Sequence, residues 1–395
     1  MAFDFNLIVN RKNTNSLKYD FALERGKEAD IIPLWVADMD FPTVPEVAEA
    51  LVTASRHGIF GYTEVKEEYF KVLRNWFSSH YHWDIERKWL VKTPGVVYAI
   101  ATAIRAFTEK NDAVLIQRPV YYPFSESIVS NKRRLINNPL VYEAGKYHID
   151  FIDFEEKIVK NQVKLFILCN PHNPVGKVWT KEELIRLGDI CVKHNVLIVS
   201  DEIHADFIYP GHEHLVFANL KPEYSERTIT CTAPSKTFNL AGLQVSNVFI
   251  GNPNLKSEFK AEIGRTGYSQ LNTMGLIACR AAYEFGDQWL KELKQYLLGN
   301  LNYVREFLKE QIPEVKLIEP EGTYLVWIDF SNLKLAQEEL EHLIVKKAKL
   351  WLDAGTMFGP EGLGFQRINI ACPRETLTLA LNQLRDAITE QKISG

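Results

Sequence analysis

Three short stretches carry an amide, a carboxylate and an amine, in that order along the chain. Asn170-Pro171-His172-Asn173-Pro174-Val175-Gly176 supplies the amide of Asn173, Asp201-Glu202-Ile203-His204 the carboxylate of Asp201, and Ala233-Pro234-Ser235-Lys236-Thr237-Phe238-Asn239 the amine of Lys236. An amine can condense with an aldehyde to a Schiff base and serve as a base once released. A carboxylate keeps a heterocyclic nitrogen protonated, and an amide N–H donates to a phenolate. Taken singly, each has a plainer explanation: Asn-Pro as a turn, Asp at a strand end as a helix cap, Ser-Lys as nothing in particular. Their order and spacing give them weight, because each interval accommodates one helix and one further strand.

The elements that must position these groups are legible around them. Ala113–Gln117, Lys164–Cys169, Val196–Ser200 and Thr228–Thr232 are short, β-branched and nearly continuous in apolar character, as strands covered on both faces are. Thr180 with Glu183 three residues on forms a capping box, and Leu184, Leu187, Ile190 and Cys191 follow as an apolar stripe. Strand, helix, strand in this order predicts a βαβ unit and a mainly parallel sheet. Ligands of such sheets sit at the carboxyl ends of the strands, which is where the amide, carboxylate and amine fall. Residues 286–312 and 334–350 read as long amphipathic helices, and Gly322–Phe330 and Gln366–Ala371 as strands. The expected architecture is α/β. Residues 50–285 form a large domain, and 1–49 with 286–395 form a smaller α+β domain.

A cofactor that uses all three groups is pyridoxal 5′-phosphate (PLP). Asp201 would face its ring nitrogen, Asn173 its phenolate and Lys236 its aldehyde. The phosphate calls for backbone N–H groups, and Thr93-Pro94-Gly95-Val96-Val97 opens a helix whose N-terminus can supply them. Tyr121, just past a strand, offers an aromatic face to the ring.

The segments NPHNPVG, DEIHADF and APSKTFNLAGLQ resemble the fold-type I PLP enzymes of the class I/II aminotransferase superfamily over nearly the whole chain. The resemblance implies a PLP-dependent transferase-like fold and a Schiff base on Lys236. It also implies ring contacts from Asp201, Asn173 and Tyr121. Gly61-Tyr62-Thr63 matches the stretch whose tyrosine reaches the phosphate of a neighbouring subunit, which implies at least a homodimer. Arg367 matches the arginine that clamps the substrate α-carboxylate, a task suited to its bidentate fork. Two positions depart from the pattern. Ala233 stands where Ser or Thr often binds phosphate, and Gln244 where arginine is common. The phosphate then depends on Gly95, Val96, Val97, Ser235 and Tyr62. His204 reads either as a contact of the ring or its phenolate, or as a polar residue at the pocket wall. Trp35 and Tyr324 read as substrate-pocket lining or equally as packing.

Arg11 to Asp20, followed by Pro33-Leu34-Trp35-Val36-Ala37-Asp38-Met39-Asp40-Phe41, is similar to the MalY/PatB branch of cystathionine β-lyases and related C–S lyases. That similarity implies α,β-elimination from L-cystathionine or a related cysteine S-conjugate, with an amino-acid aminotransferase as the alternative. A third reading is a non-catalytic regulator that senses an amino acid on the same fold. Composition is ordinary for a globular chain of 395 residues, 46% hydrophobic and 24% charged. A net charge of −4 with dispersed lysines and arginines gives no reason to expect nucleic acid or an anionic membrane. The five cysteines form no Cys-x-x-Cys pair, so neither a disulfide framework nor a metal site is expected, and a reducing cytoplasm is the plain reading. The first twenty residues lack the apolar core of a signal peptide.

Overall fold

The computed structural model describes residues 3–394. Its larger sheet has seven strands: β1 (Leu90–Thr93), β2 (Ala113–Ile116), β3 (Arg134–Asn137), β4 (Leu165–Cys169), β5 (Leu197–Asp201), β6 (Thr228–Thr232) and β7 (Ser246–Ile250). Their order across the sheet is β1-β7-β6-β5-β4-β2-β3. Strands β3, β2, β4, β5 and β6 pair in parallel, and only β7 runs against its neighbours β6 and β1. An antiparallel step needs no crossover helix, so the β6–β7 connection is free to carry the Lys236 turn. Strand order reverses between β2 and β4. This switch point opens a crevice at the carboxyl ends of the strands, and there the Tyr121 N–H donates to the Asn173 carbonyl at 3.0 Å.

Both faces of the sheet are covered, as the apolar runs require. Leu165, Ile167 and Cys169 face one core with Val199, Ile229 and Val248, under Val96, Ala99, Ile100, Ala103 and Ile104 of helix α1 (Val96–Phe107). Phe166 and Leu168 face the other, with Leu184, Leu187 and Cys191 of helix α2 (Lys181–Lys193). The period of two along β4 sorts these side chains. Both halves of the α2 capping box are present: Thr180 Oγ1 accepts from Glu183 N–H, and the Glu183 carboxylate takes the Thr180 N–H at 2.8 Å.

The C-terminal third builds a smaller antiparallel sheet from β8 (Lys316–Ile318), β9 (Leu325–Asp329), β10 (Asp353–Ala354) and β11 (Phe365–Asn369), in the order β8-β9-β11-β10. Helix α3 (Asp287–Gln311) packs on β8, helix α4 (Arg374–Ser394) packs on α3, and both share one apolar core with β9 and β11. The stretch 334–350 is not one long helix. It is α-helical over Gln337–His342, widens to a π turn over Leu343–Lys347, and ends where Leu350–Trp351 pairs in parallel with Ile32–Pro33. Lys334 and Lys349 both adopt positive φ (55° and 51°), which breaks the helical path at either end. The N-terminal segment continues along the small sheet: Asn369 N–H donates to Leu34 O at 2.9 Å and Asp40 N–H to Ala371 O at 3.0 Å. Among the described residues no helix is long and apolar enough to cross a membrane, and no cluster of residues could hold a metal ion.

Gly176 fastens the two sheets at the loop that carries Asn173. Its φ is +70°, and its carbonyl accepts from Glu321 N–H (2.8 Å) and Gly322 N–H (2.9 Å). A Cβ there would stand 2.7 Å from Pro320 Cβ. Gly176→Ala therefore meets both an unfavourable backbone region and a clash, and a loss of about 1–3 kcal/mol is expected. Urea unfolding measures it.

Candidate active site

A recessed cavity of about 120 Å³ lies at the carboxyl ends of the strands. Gly95, Val96, Val97, Tyr121, Asn173, Asp201, His204, Ser235 and Lys236 line it, together with Ala37, Cys169 and Gln244. The polar edge expected from three separate loops is thus a single lining. Each group arrives by a short route. Asp201 is the last residue of β5, and Asn173 follows β4 by one turn. Lys236 lies in the helical turn Pro234–Thr237 straight after β6. Helix α1 begins at Val96, so its unpaired first-turn N–H groups open onto the cavity.

The environment changes the acid–base character of each group. Desolvation in the recess lowers Lys236 to about 8; Arg367 acts in the same direction, and Asp38 and Asp201 oppose it. Its Nζ donates to the Ala37 carbonyl at 3.1 Å. Burial raises Asp201 to about 7 against the N–H of Ile203, which reaches Oδ1 at 3.1 Å, and against the charge of Lys236. Burial also holds His204 well below the usual imidazole range, helped by Lys236 and Arg367, so its ring is neutral. His204 Nδ1 is buried without a partner among the described residues. Burial pushes the Tyr121 hydroxyl upward, so it stays a neutral phenol.

Arg367 stands beside the cavity on β11. Nη1 donates to Asn173 Oδ1 at 2.9 Å, Nη2 donates to the Trp35 carbonyl at 3.0 Å, and Nη2 also pairs with Asp353. The bond to Oδ1 leaves the Asn173 NH₂ free to donate elsewhere. Arg367 Nε is buried and unpartnered among the described residues. Asp353 escaped the sequence reading, although it is the register partner of Arg367 across β10 and β11. A cross-strand pairing of the two segments is the signal that could have found it.

Three expected residues are not part of the cavity lining itself. The Trp35 ring stacks on Trp351 at 4.4 Å, so only its backbone carbonyl reaches Arg367. Tyr324 is fully buried, packs edge-on to Phe207, and donates its hydroxyl to Ala37 O at 2.8 Å. Tyr62 is 98% exposed and lines no part of the cavity. Asp206, also unforeseen, anchors the lysine turn by accepting from Thr237 Oγ1 (2.5 Å), Trp76 Nε1 (3.2 Å) and the Tyr81 hydroxyl.

The model of the family described as aminotransferase class I and II matches residues 29–384. Cystathionine beta-lyase PatB of Bacillus subtilis is 41% identical, covering 98% of this chain and 100% of its own. The structure of cystalysin from Treponema denticola, which contains PLP, superposes with a TM-score of 0.96 at 39% identity, covering 99% of this chain and 100% of its own. The PLP-bound C–S lyase of Staphylococcus hominis gives a TM-score of 0.91 at 34% identity, over 98% of both chains.

The two shifted groups leave opposite marks on stability. Asp201 has its folded pKa raised from 3.8 to about 7, so its contribution is full below pH 4 and is lost as pH rises towards 7. Lys236 has its folded pKa lowered from 10.5 to about 8, so its contribution is present above pH 10.5 and is lost as pH falls towards 8. In the cofactor-free chain, Asp201→Asn is expected to remove the first loss. Denaturant midpoints of wild type and variant measured between pH 4 and 8 check this; parallel curves would contradict it.

Proposed function

The chain belongs to the class I and II aminotransferase family, and on that premise we propose that it is a PLP-dependent carbon–sulfur β-lyase. Its substrate is L-cystathionine or a related cysteine S-conjugate, cleaved to a thiol, pyruvate and ammonia. The observation that carries this reading is 41% identity along the full length to a cystathionine beta-lyase, joined to a cavity in which an amine, a carboxylate and an amide converge.

The donor set fits the cofactor. Asp201 suits the ring nitrogen, since a cation placed there would draw the carboxylate back to its ionised form. The free Asn173 NH₂ suits the phenolate, and Tyr121 offers its face to the ring. The N–H groups at Gly95–Val97 and the Ser235 hydroxyl suit the phosphate. The unpartnered His204 Nδ1 leaves a further polar atom for the ring or its substituents. When bound, PLP supplies the electron sink that makes the substrate Cα–H acidic.

The protein's own groups divide the remaining work. Arg367, held by Asp353 and the Trp35 carbonyl, binds the substrate α-carboxylate with its spare N–H capacity. Lys236 takes the Cα proton; at about 8 its amine is unprotonated in a useful fraction of molecules near neutral pH. The recessed cavity limits water around the carbanionic charge. The Cα electron pair forms the Cα–Cβ double bond as the bond from Cβ to sulfur breaks. The thiolate departs with that bond's electron pair and takes up a proton, and the released 2-aminoacrylate is hydrolysed by one water to pyruvate and ammonia.

The same reading places Tyr62 at a second subunit. Ile59 (71%), Phe60 (63%) and Tyr62 (98%) are exposed together, as an apolar stretch awaiting a partner copy would be. Residues 50–285 are taken as the large domain and 1–49 with 286–395 as the small one, with the site between them. Five unpaired, buried cysteines suit a reducing compartment such as the cytoplasm.

Incubation with L-cystathionine is expected to release pyruvate with no 2-oxo acid present. A strict need for such an acceptor would move the protein to the aminotransferases, and no turnover of any amino acid would favour the regulator. Arg367→Lys keeps the charge but loses the fork, so KM is expected to rise at least about tenfold.

A further inference from the structure

Residues 35–41 form a strap whose backbone meets both the reactive lysine and the carboxylate-binding arginine. The Trp35 carbonyl accepts from Arg367, and the Ala37 carbonyl accepts from Lys236 Nζ at 3.1 Å. Asn369, two residues after Arg367, donates its amide to Val36 O (2.6 Å) and Asp38 O (2.7 Å). Asn239, three residues after Lys236, donates to Met39 O and Phe41 O and accepts from Met39 N–H. The strap is therefore tied to both halves of the site by the neighbours of the two residues it touches.

A second layer holds the strap from outside. Arg11 spreads its guanidinium over it: Nη2 reaches Asp38 Oδ2 at 2.6 Å, and Nη1 reaches Asp40 Oδ1 at 2.7 Å and Met39 O at 3.2 Å. Lys18, with a fully buried side chain, pairs with Asp40 Oδ2 at 2.9 Å. The segment bearing both cations is folded on Asp20, whose carboxylate accepts the N–H groups of Asn13, Thr14 and Ser16. The Arg11–Asp20 segment thus forms a clamp.

We propose that Arg11 is a positioning residue of the active site: by fastening Asp38 and Asp40 it holds the Ala37 carbonyl against Lys236 and the Trp35 carbonyl against Arg367. The clamp thus acts on a segment that touches both groups. The charges acting on Lys236 are Arg367 from β11, Asp38 from the strap and Asp201 from β5, with His204 beside it. Arg11 reaches this group through the strap, where it pairs with Asp38, so its removal frees the strap and bares the Asp38 carboxylate, and both raise Lys236. The proposal rests on Lys236 as the reacting amine and is independent of the sulfur compound cleaved.

The test reads Lys236 directly. The full chain, freed of cofactor, is labelled with acetic anhydride across a pH series, and mass spectrometry of the Lys236 peptide gives its titration midpoint. Wild type is expected near 8. In Arg11→Gln the released strap admits water to the amine, so the midpoint rises by about one pH unit or more. Arg11→Lys retains part of the ion pairing and falls between the two. The reconstituted Arg11→Gln enzyme is also expected to show a higher KM and a pH–rate profile displaced in the same direction. A lower melting temperature with the Lys236 midpoint still at its wild-type value would overturn the proposal, leaving Arg11 with a structural role alone. Should Arg11→Gln fail to fold, Arg11→Lys carries the same test, and a wild-type midpoint there overturns it equally. Failure of the lyase reading would appear in the pyruvate assay and leave the labelling result untouched.

Discussion

An amine, a carboxylate and an imidazole share one recess, with a guanidinium held beside it, all largely withdrawn from solvent. Desolvation penalises every charge there by several kcal/mol before any partner is found. It draws Lys236 and Asp201 towards neutrality from opposite sides, to about 8 and about 7, and keeps His204 neutral. Arg367 cannot lose its proton, so it is met by Asp353, Asn173 Oδ1 and the Trp35 carbonyl. Without a ligand the recess is therefore a costly arrangement. A cationic ring nitrogen at Asp201 and a carboxylate at Arg367 would both relieve it, which is the thermodynamic sense in which the site awaits a cofactor and an amino acid.

The sheet makes that recess possible. Reversal of strand order between β2 and β4 parts the connections at the strand ends. The reversed strand β7 lets a short connection after β6 turn back at once and carry Lys236. Asp206 then fixes that turn through Thr237, Trp76 and Tyr81, so the lysine stands on a braced element. Gly176 and the contacts to Glu321 and Gly322 tie the Asn173 loop to the small sheet, where Arg367 resides.

The N-terminal segment closes the arrangement across the two sheets. It pairs with Leu350–Trp351, runs beside Asn369, and presents its carbonyls to Arg367 and Lys236. Groups far apart in sequence are thereby placed relative to one another through backbone carbonyls, acceptors that every residue carries, met by the side chains of Arg367, Lys236 and Asn369.

Much of this was written in the sequence. The β4, β5 and β6 strands, the α2 capping box and the strand-end positions of Asn173, Asp201 and Lys236 follow from local pattern, because apolar runs, caps and turns act over a few residues. Nine of the residues chosen from sequence line one cavity. Tertiary structure alone decided the rest. The Ala37 and Trp35 carbonyls have no side-chain signature, since every residue carries the same acceptor. Asp353 meets Arg367 only through the register of β10 with β11, and Trp35 turns to Trp351 only because Ile32–Pro33 pairs with Leu350–Trp351. The helix expected over 334–350 is confined to Gln337–Lys347, between the positive-φ residues Lys334 and Lys349. The sequence determined which chemical groups the site holds; packing between distant segments decided which atoms face them, because register and strap position are set by contacts that local pattern does not encode.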